Sequence, residues 1–579
     1  MKKSIRRYLC ILLSAALLLP AVGVAASGEE SELKLFVASD IHYRPSSSLG
    51  DITAQNTLPG DALYSHTNTK SMLSFEADAI IDEFLSRFEG SDADILLIPG
   101  DLSEEGYWDE HLGLAEKLNE FKARTGKRIF VIPGNHDIRT SDSKGRLNAA
   151  DFEEIYYNLG FSEAVARHDG SLSYTADLDA KHRLIAVDAC IYRQDGSRLS
   201  DDLLQWIKNQ ALTAAQAGME PILMVHFSVL EHIGIQGVAS NLLCLDNYRE
   251  AANVFADCGI RYCFTGHEHA NDISSAVSDS GNTIYDIETG CLLTYPNAYR
   301  EVAFSDTAVN IKTDYIDKID TSLLPEGFTD EQLELMNTDF PKYSYDYFRA
   351  GMRSYAYMIP DATAELAGEL NIEEGTAAYA ALGRTMDTLC EAARLPLYDS
   401  GTAETDSVEE LAREAGITLE ESEYRDVLDV AGVIYAGHYA GDESLGFDSK
   451  EVRLLGQGLR AILLYALMNV PHEDAALLIE SFGIPADMLN VSNSEYTELA
   501  RVTYMKTAAD FIANQVLASI ADGVVTDCAY PADLNVTLTQ SEPDTVPDNL
   551  VVISDFYYYI DIIIRYVTAI LDGVMQMKA

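Results

Sequence analysis

The stretch RIFVIPGNHDIR, Arg128 to Arg139, decides how this chain is read. Four apolar residues (Ile129, Phe130, Val131, Ile132) are cut off by Pro133-Gly134, and Asn135, His136 and Asp137 follow at once. A buried strand that stops at Pro-Gly and delivers polar side chains is how an α/β protein presents chemistry at the carboxyl edge of its sheet. Four more apolar runs end in the same way. Leu33–Ala38 leads to Asp40 and His42, Asp94–Pro99 to Asp101, Pro221–Val225 to His226, and Arg261–Phe264 to His267 and His269. The chain has 12 histidines, and His42, His136, His226, His267 and His269 all stand at these strand ends, which is a concentration rather than a scatter.

Between the strands, Ser74–Phe88, Glu110–Thr125, Asp151–Leu159, Ser200–Gln216 (N-capped by Ser200) and Asn247–Ala256 carry apolar residues at helical spacing. Arg183–Val187 is a further strand, and Thr283–Glu288, Arg300–Ser305 and Ala308–Tyr315 are strands with no long helix between them, so the pattern predicts packed sheets with helices outside. Tyr43–Lys70 is polar and rich in glycine, serine and proline, a long loop beside the first site residues.

After about Asp320 the texture changes. Thr321–Phe328 is a connector, and helical patterns follow at Thr363–Leu370, Gly375–Ala393, Ser407–Ala415, Val452–Leu467 and Glu473–Phe482. Asp527–Asn549 reads as an irregular excursion before a last helix, Asp555–Met577, whose Asp561, Arg565 and Asp572 argue against a membrane span. The expected division is a signal peptide at 1–26, a catalytic domain at 31–318 and a helical domain at 329–579. Lys2, Lys3, Arg6 and Arg7 precede the apolar run Leu9–Val24, and Val24-Ala25-Ala26 supplies a cleavage site, so a secreted or cell-surface bacterial protein is expected.

At 579 residues, 47% of them hydrophobic, the chain is globular and too long for one core. Its formal net charge of -51 repels nucleic-acid phosphates, which excludes extended nucleic acid as a partner but not a small phosphorylated ligand drawn to bound cations. Of eight cysteines, seven scatter through the mature chain; they read as buried small hydrophobes, with one pair such as Cys258 and Cys263 bridged at most.

Carboxylates that can bridge cations, imidazoles and an asparagine carbonyl arriving on one sheet edge exceed the needs of one metal and match two. In this order, Asp40-Ile41-His42, Gly100-Asp101, Gly134-Asn135-His136-Asp137, His226 and Gly266-His267-Glu268-His269 resemble the calcineurin-like metallophosphoesterase superfamily, over roughly Leu33 to Tyr315. Gly100–Gly106 and the segment from Thr289-Gly290 to Arg300 are most similar to its cyclic-nucleotide phosphodiesterase-like branch.

The resemblance implies a four-layer α/β/β/α sandwich, here followed by a mostly α-helical C-terminal domain. It implies two divalent or trivalent ions (Mn, Fe or Zn), one held by Asp40, His42 and His269, the other by Asn135, His226 and His267, with Asp101 bridging. His136 faces the substrate as general acid and Asp137 orients it. The implied activity is hydrolysis of a phosphomonoester or phosphodiester by metal-activated hydroxide, on a small phosphorylated substrate, a nucleotide among the candidates. Purple acid phosphatases have a tyrosine three residues after the bridging aspartate; here that residue is Glu104, so a tyrosinate-bound ferric site is not expected. A 5'-nucleotidase-like phosphomonoesterase and a non-catalytic secreted protein that binds metal or a phosphate ligand are the alternatives. Arg139 and Arg193 are expected in surface salt bridges rather than on a phosphate.

Overall fold

The structure is a computed structural model that describes residues 32–49, 71–139, 145–192, 196–233, 236, 243–358, 363–369, 372–399, 407–441, 445, 448–471 and short stretches between 473 and 539. The expected signal peptide (1–26), residues 50–70, Arg193, most of Glu473–Phe482, Cys528 and the expected final helix (Asp555–Met577) lie outside them.

From β1 (Leu33–Val37) the chain makes a single helical turn at Ser46–Leu49, then α1 (Ala77–Gly90), β2 (Ile95–Ile98), α2 (Trp108–Thr125), β3 (Arg128–Val131) and α3 (Ala149–Ile155). There follow β4 (Ala166–Arg167), β5 (Tyr174–Asp177), β6 (His182–Val187), β7 (Cys190–Ile191), β8 (Gly196–Ser197), α4 (Asp201–Gln216), β9 (Glu220–Val225), α5 (Tyr248–Asp257) and β10 (Tyr262–Thr265). The strands β11 (Asp272–Val277), β12 (Thr283–Glu288), β13 (Ala298–Phe304) and β14 (Ala308–Tyr315) then run without intervening helices. Ser200 caps α4 by accepting from Leu203 N, as its position predicts.

Two sheets result. The first has the order β15-β14-β13-β1-β2-β3, where β15 is Asn535–Thr539, and the second β11-β12-β10-β9-β6-β5-β4. β1, β2 and β3 are mutually parallel, as are β6, β9, β10 and β12, so their carboxyl ends share a direction within each sheet. Both faces of the second sheet are covered. Leu184, Ala186, Ile222, Met224, Tyr262 and Phe264 join the core shared with the first sheet, and the alternate residues Ile185, Val187, Leu223, Val225 and Cys263 pack with Leu203, Ile207, Ala251 and Phe255 of α4 and α5. On the first sheet Phe36 packs against Phe84 and Phe88 of α1, ring centroids 6.2 and 5.1 Å apart. Each such fully buried phenylalanine stabilises the fold by roughly 1.5–3 kcal/mol. The architecture is the expected α/β/β/α sandwich.

The helical part comprises α6 (Asp330–Thr338), α7 (Phe340–Met358), α8 (Thr363–Glu369), α9 (Ala377–Ala393), α10 (Val408–Ala415), α11 (Val427–Ala440) and α12 (Lys450–Asn469). No described helix is long and apolar enough to cross a membrane. Cys190, Cys244, Cys258, Cys263, Cys291 and Cys390 are free thiols, so the Cys258–Cys263 bridge does not form.

The reading of Asp527–Asn549 as irregular needs correction. Asn535–Thr539 is a strand that pairs antiparallel with β14 from Ala308↔Thr539 to Lys312↔Asn535, so late sequence completes the early sheet. Its anchor is Arg300, fully buried, which donates to the carbonyls of Asp533 and Leu534, to Thr313 Oγ1, and to the carbonyls of Glu288 (2.8 Å) and Asp272 (3.5 Å). A chain ended at residue 532 should strip this guanidinium of two acceptors and open the β14 edge, at a cost of about 3–5 kcal/mol. Calorimetry that finds the melting temperature unchanged would refute this.

Candidate metal centre

The five loops meet where the carboxyl ends of the two sheets adjoin, not on one sheet edge as the sequence suggests. β1, β2 and β3 bring Asp40, His42, Asp101 and Asn135–Asp137, and β9 and β10 bring His226, His267 and His269. Three groups of side chains converge closely enough to hold a cation. They are Asp40 with His42 and His269, Asp101 with His226 and His267, and His42 with Asp101 and His136, each with ligand atoms within 4.8 Å of one another. His42 Nε2 is 3.0 Å from His269 Nε2, and His226 Nε2 is 3.0 Å from Asn135 Oδ1. Asp101 Oδ2 lies 3.5 Å from His42 Nε2 and 3.3 Å from His226 Nε2, and so links the group it shares with His226 and His267 to the group that contains His42. Its other oxygen accepts from the backbone N–H of His136 at 2.8 Å.

The backbone is bent to achieve this. Asp40, His42, Asp101, His267 and His269 have φ of 51°, 45°, 46°, 84° and 65°; elsewhere among the described non-glycine residues only Ser71 and Asn297 are left-handed. Such conformations cost about 1–3 kcal/mol each and persist where surrounding contacts dictate them. The motif glycines permit the close passage of one loop over another. A Cβ at Gly134 would overlap Asp101 Oδ1, and one at Gly266 would overlap Ser39 Oγ and Asp40 Oδ2.

Burial works to raise the Asp101 carboxyl, but His226, His136 and His42 around it overcome this and hold it well below the usual range. Asp40 is pushed up by burial, with the Asp101 charge adding to it. The donor set is therefore two buried carboxylates, imidazoles and an amide oxygen at near-contact distances, a combination that suits cations of the Mn, Fe or Zn type.

The calcineurin-like phosphoesterase family matches residues 33–271. These residues form a calcineurin-like phosphoesterase domain. The protein is accordingly a metal-dependent phosphoester hydrolase. Three solved structures are similar over about half of it, each at 13% identity: a dimetal phosphatase from Danio rerio (49% of this chain, 96% of that one, TM-score 0.36), a conserved uncharacterized protein, a predicted phosphoesterase, from Streptococcus pneumoniae (49%, 90%, 0.22), and a phosphopantetheinyl hydrolase from Mycobacterium tuberculosis (45%, 90%, 0.24). None of the curated proteins matches this chain.

Within the phosphoesterase domain Asp137 ties its own turn to the loop after β2. Its buried carboxylate accepts from Gly134 N (2.8 Å), Ser103 N (2.8 Å), Leu102 N (3.2 Å) and Ser103 Oγ (2.9 Å), which ties the Asn-His-Asp turn to the Gly-Asp loop. The His136 ring is held by the Glu104 carbonyl, 2.5 Å from its Nδ1, and stands edge-on to the His42 ring, with centroids 4.8 Å apart. Arg139 lies beside it, with Nη2 3.0 Å from the same Nδ1 and Nη1 3.5 Å from Glu105, a looser ion pair than the surface salt bridge expected.

Two further histidines serve the frame. The sequence places His111 inside a helix, and in the structure it is buried against Ser103 Oγ, the Asp137 carbonyl and Tyr156 OH, each at 3.0 Å. His232 lies 3.4 Å from Asp272, 3.2 Å from Asp286 and 3.6 Å from Glu288, and these carboxylates overcome burial to raise its pKa well above the usual value. Asp286 also accepts from Val229 N (2.6 Å) and Leu230 N (2.9 Å), so this cluster pins the loop that leaves His226. Asp286 and Glu288 read as ordinary strand residues, and no local signal marks them.

Glu104 has a second function. Its Oε2 is 2.8 Å from His42 Nδ1, an ion-pair contact on the ring edge opposite the one that faces Asp40 and His269. Glu104→Leu should weaken metal binding by roughly 10–100-fold with the fold intact, and Glu104→Gln should recover most of it. Equal Mn²⁺ titrations of the Leu variant and the wild type would reject that function.

Burial drives the His111 pKa down to about 4. The unfolded chain takes up a proton between about pH 6.5 and 4 that the folded chain refuses, so stability falls as pH drops through this window. The loss from this group is about 3 kcal/mol at roughly 1.4 kcal/mol per pH unit. Denaturant unfolding should show a flatter acid slope for His111→Gln; parallel slopes would dismiss the assignment.

Proposed function

We propose that the phosphoesterase domain hydrolyses small phosphate esters at a two-cation centre. Asp40, His42 and His269 would hold one ion, Asn135, His226 and His267 the other, and Asp101 would serve both. The observation that carries this reading is the position of Asp101 Oδ2 between imidazoles from the two sheets. Two cations at such a centre neutralise phosphoryl oxygens and lower the pKa of water towards about 7.

The chain's own residues do the rest. His136 is held through Nδ1 and is only partly buried, which suits it to donate a proton from Nε2 to the leaving oxygen. Glu104 keeps two imidazoles in register, one through its carboxylate and one through its carbonyl. The strong negative charge supports a small phosphorylated substrate, a nucleotide among the candidates, rather than a polymer. The basic-then-apolar start of the chain supports action outside the cytoplasm.

Mono- and bis-nitrophenyl phosphate, assayed with Mn²⁺ and after chelation, test the reading and separate monoesterase from diesterase. Activity that survives complete removal of metal sinks it. His136→Ala should keep its metal and lose about 10²–10⁴-fold on esters with poor leaving groups, and much less on nitrophenyl esters. Equal losses on both would remove His136 from proton transfer.

A further inference from the structure

We infer that the helical half is a working part of the metal site, because the C-terminal end of α11 positions the metal-binding His269. This rests on the two-cation reading. His269 is left-handed, and two residues later Asn271 is fully buried. The Asn271 backbone N–H donates to the Tyr439 carbonyl at 3.3 Å, and its side-chain Nδ2 donates to the same oxygen at 3.0 Å. Its Oδ1 accepts from Gly290 N at 3.1 Å. Tyr439 lies in the last turn of α11, where carbonyls lack intrahelical partners, so the helix end and the turn beyond His269 satisfy one another.

Two contacts tighten the joint. The Tyr439 ring stands edge-on to the His269 ring, with centroids 6.4 Å apart. Gly441, the left-handed cap of α11 at φ 70°, lies so close that a Cβ there would overlap the Asn271 carbonyl. The helix is itself firmly mounted. Arg349 and Arg353 of α7 pair with Asp429 (2.7 Å) and Asp426 (2.6 Å), while Tyr347 OH donates to the Met72 carbonyl and the Phe348 carbonyl accepts from Ser71 Oγ, both at 3.1 Å. A path of packed, hydrogen-bonded groups thus runs from the phosphoesterase domain through α7 and α11 back to a ligand of its metal.

A matched pair of substitutions isolates the contact. Gly416 caps α10 at φ 71° with nothing near its absent Cβ, whereas Gly441 faces Asn271. Alanine meets the same left-handed strain at either site, but only Gly441→Ala pushes on the turn that carries His269. With the full-length protein loaded with Mn²⁺, elemental analysis should find two ions in the wild type and Gly416→Ala. It should find about one in Gly441→Ala, with at least ~10-fold weaker Mn²⁺ dependence of bis-nitrophenyl phosphate hydrolysis, restored at high Mn²⁺. Asn271→Ala should behave like Gly441→Ala, and decides the matter on the same readout if Gly441→Ala does not fold. Wild-type Mn²⁺ content in both of these variants overturns the inference. A wild-type protein that takes up fewer than two ions overturns the two-cation reading itself, and the inference with it.

Discussion

Asp101 is the constraint on which the rest depends. A fully buried carboxylate is costly unless its charge is met, and here it is met from both sheets, by His42 on one side and His226 on the other. That requirement sets how the two sheets adjoin at their carboxyl ends. The Pro-Gly breaks, the missing Cβ of Gly134 and the hydrogen bonds of Asp137 all let the third loop come close enough for the His136 backbone to take the other oxygen.

Backbone strain is concentrated at the same place. Five of the residues that would hold metal are left-handed, and the energy that keeps them so comes from the surrounding polar frame rather than from their own loops. Asp137, Glu104, His111 and the His232 cluster each brace a different loop. Most of these braces are buried and charged or multiply hydrogen-bonded, the kind of network that is expensive to leave half satisfied. The frame reaches into the helical half through Asn271 and Tyr439 and into the late strand through Arg300, so residues far apart in sequence share one structural task.

Local signals suffice wherever chemistry and periodicity coincide. Strand ends with Asp-x-His, Gly-Asp, Gly-Asn-His-Asp and Gly-His-x-His announce metal chemistry because few residue types can ligate, and alternation or helical spacing marks the elements that carry them. The strand β15 carries no such signal: five residues with polar neighbours and three prolines nearby resemble a loop, and only pairing with β14 makes them a strand. Adjacency in sequence points from Asp137 to His136 and carries no sign that the turn also aims its carboxylate back at Leu102 and Ser103.

Local composition and period are enough to mark the ligand-capable residues, their order, and the α/β class that delivers them. Which of them meet is settled by folding: Asp101 Oδ2 between His42 and His226, Glu104 against two imidazoles, and Tyr439 against the turn of His269. These meetings join residues between roughly thirty and about 170 positions apart on two sheets and a helical half. They are contacts of folded surfaces, whose geometry no local pattern encodes.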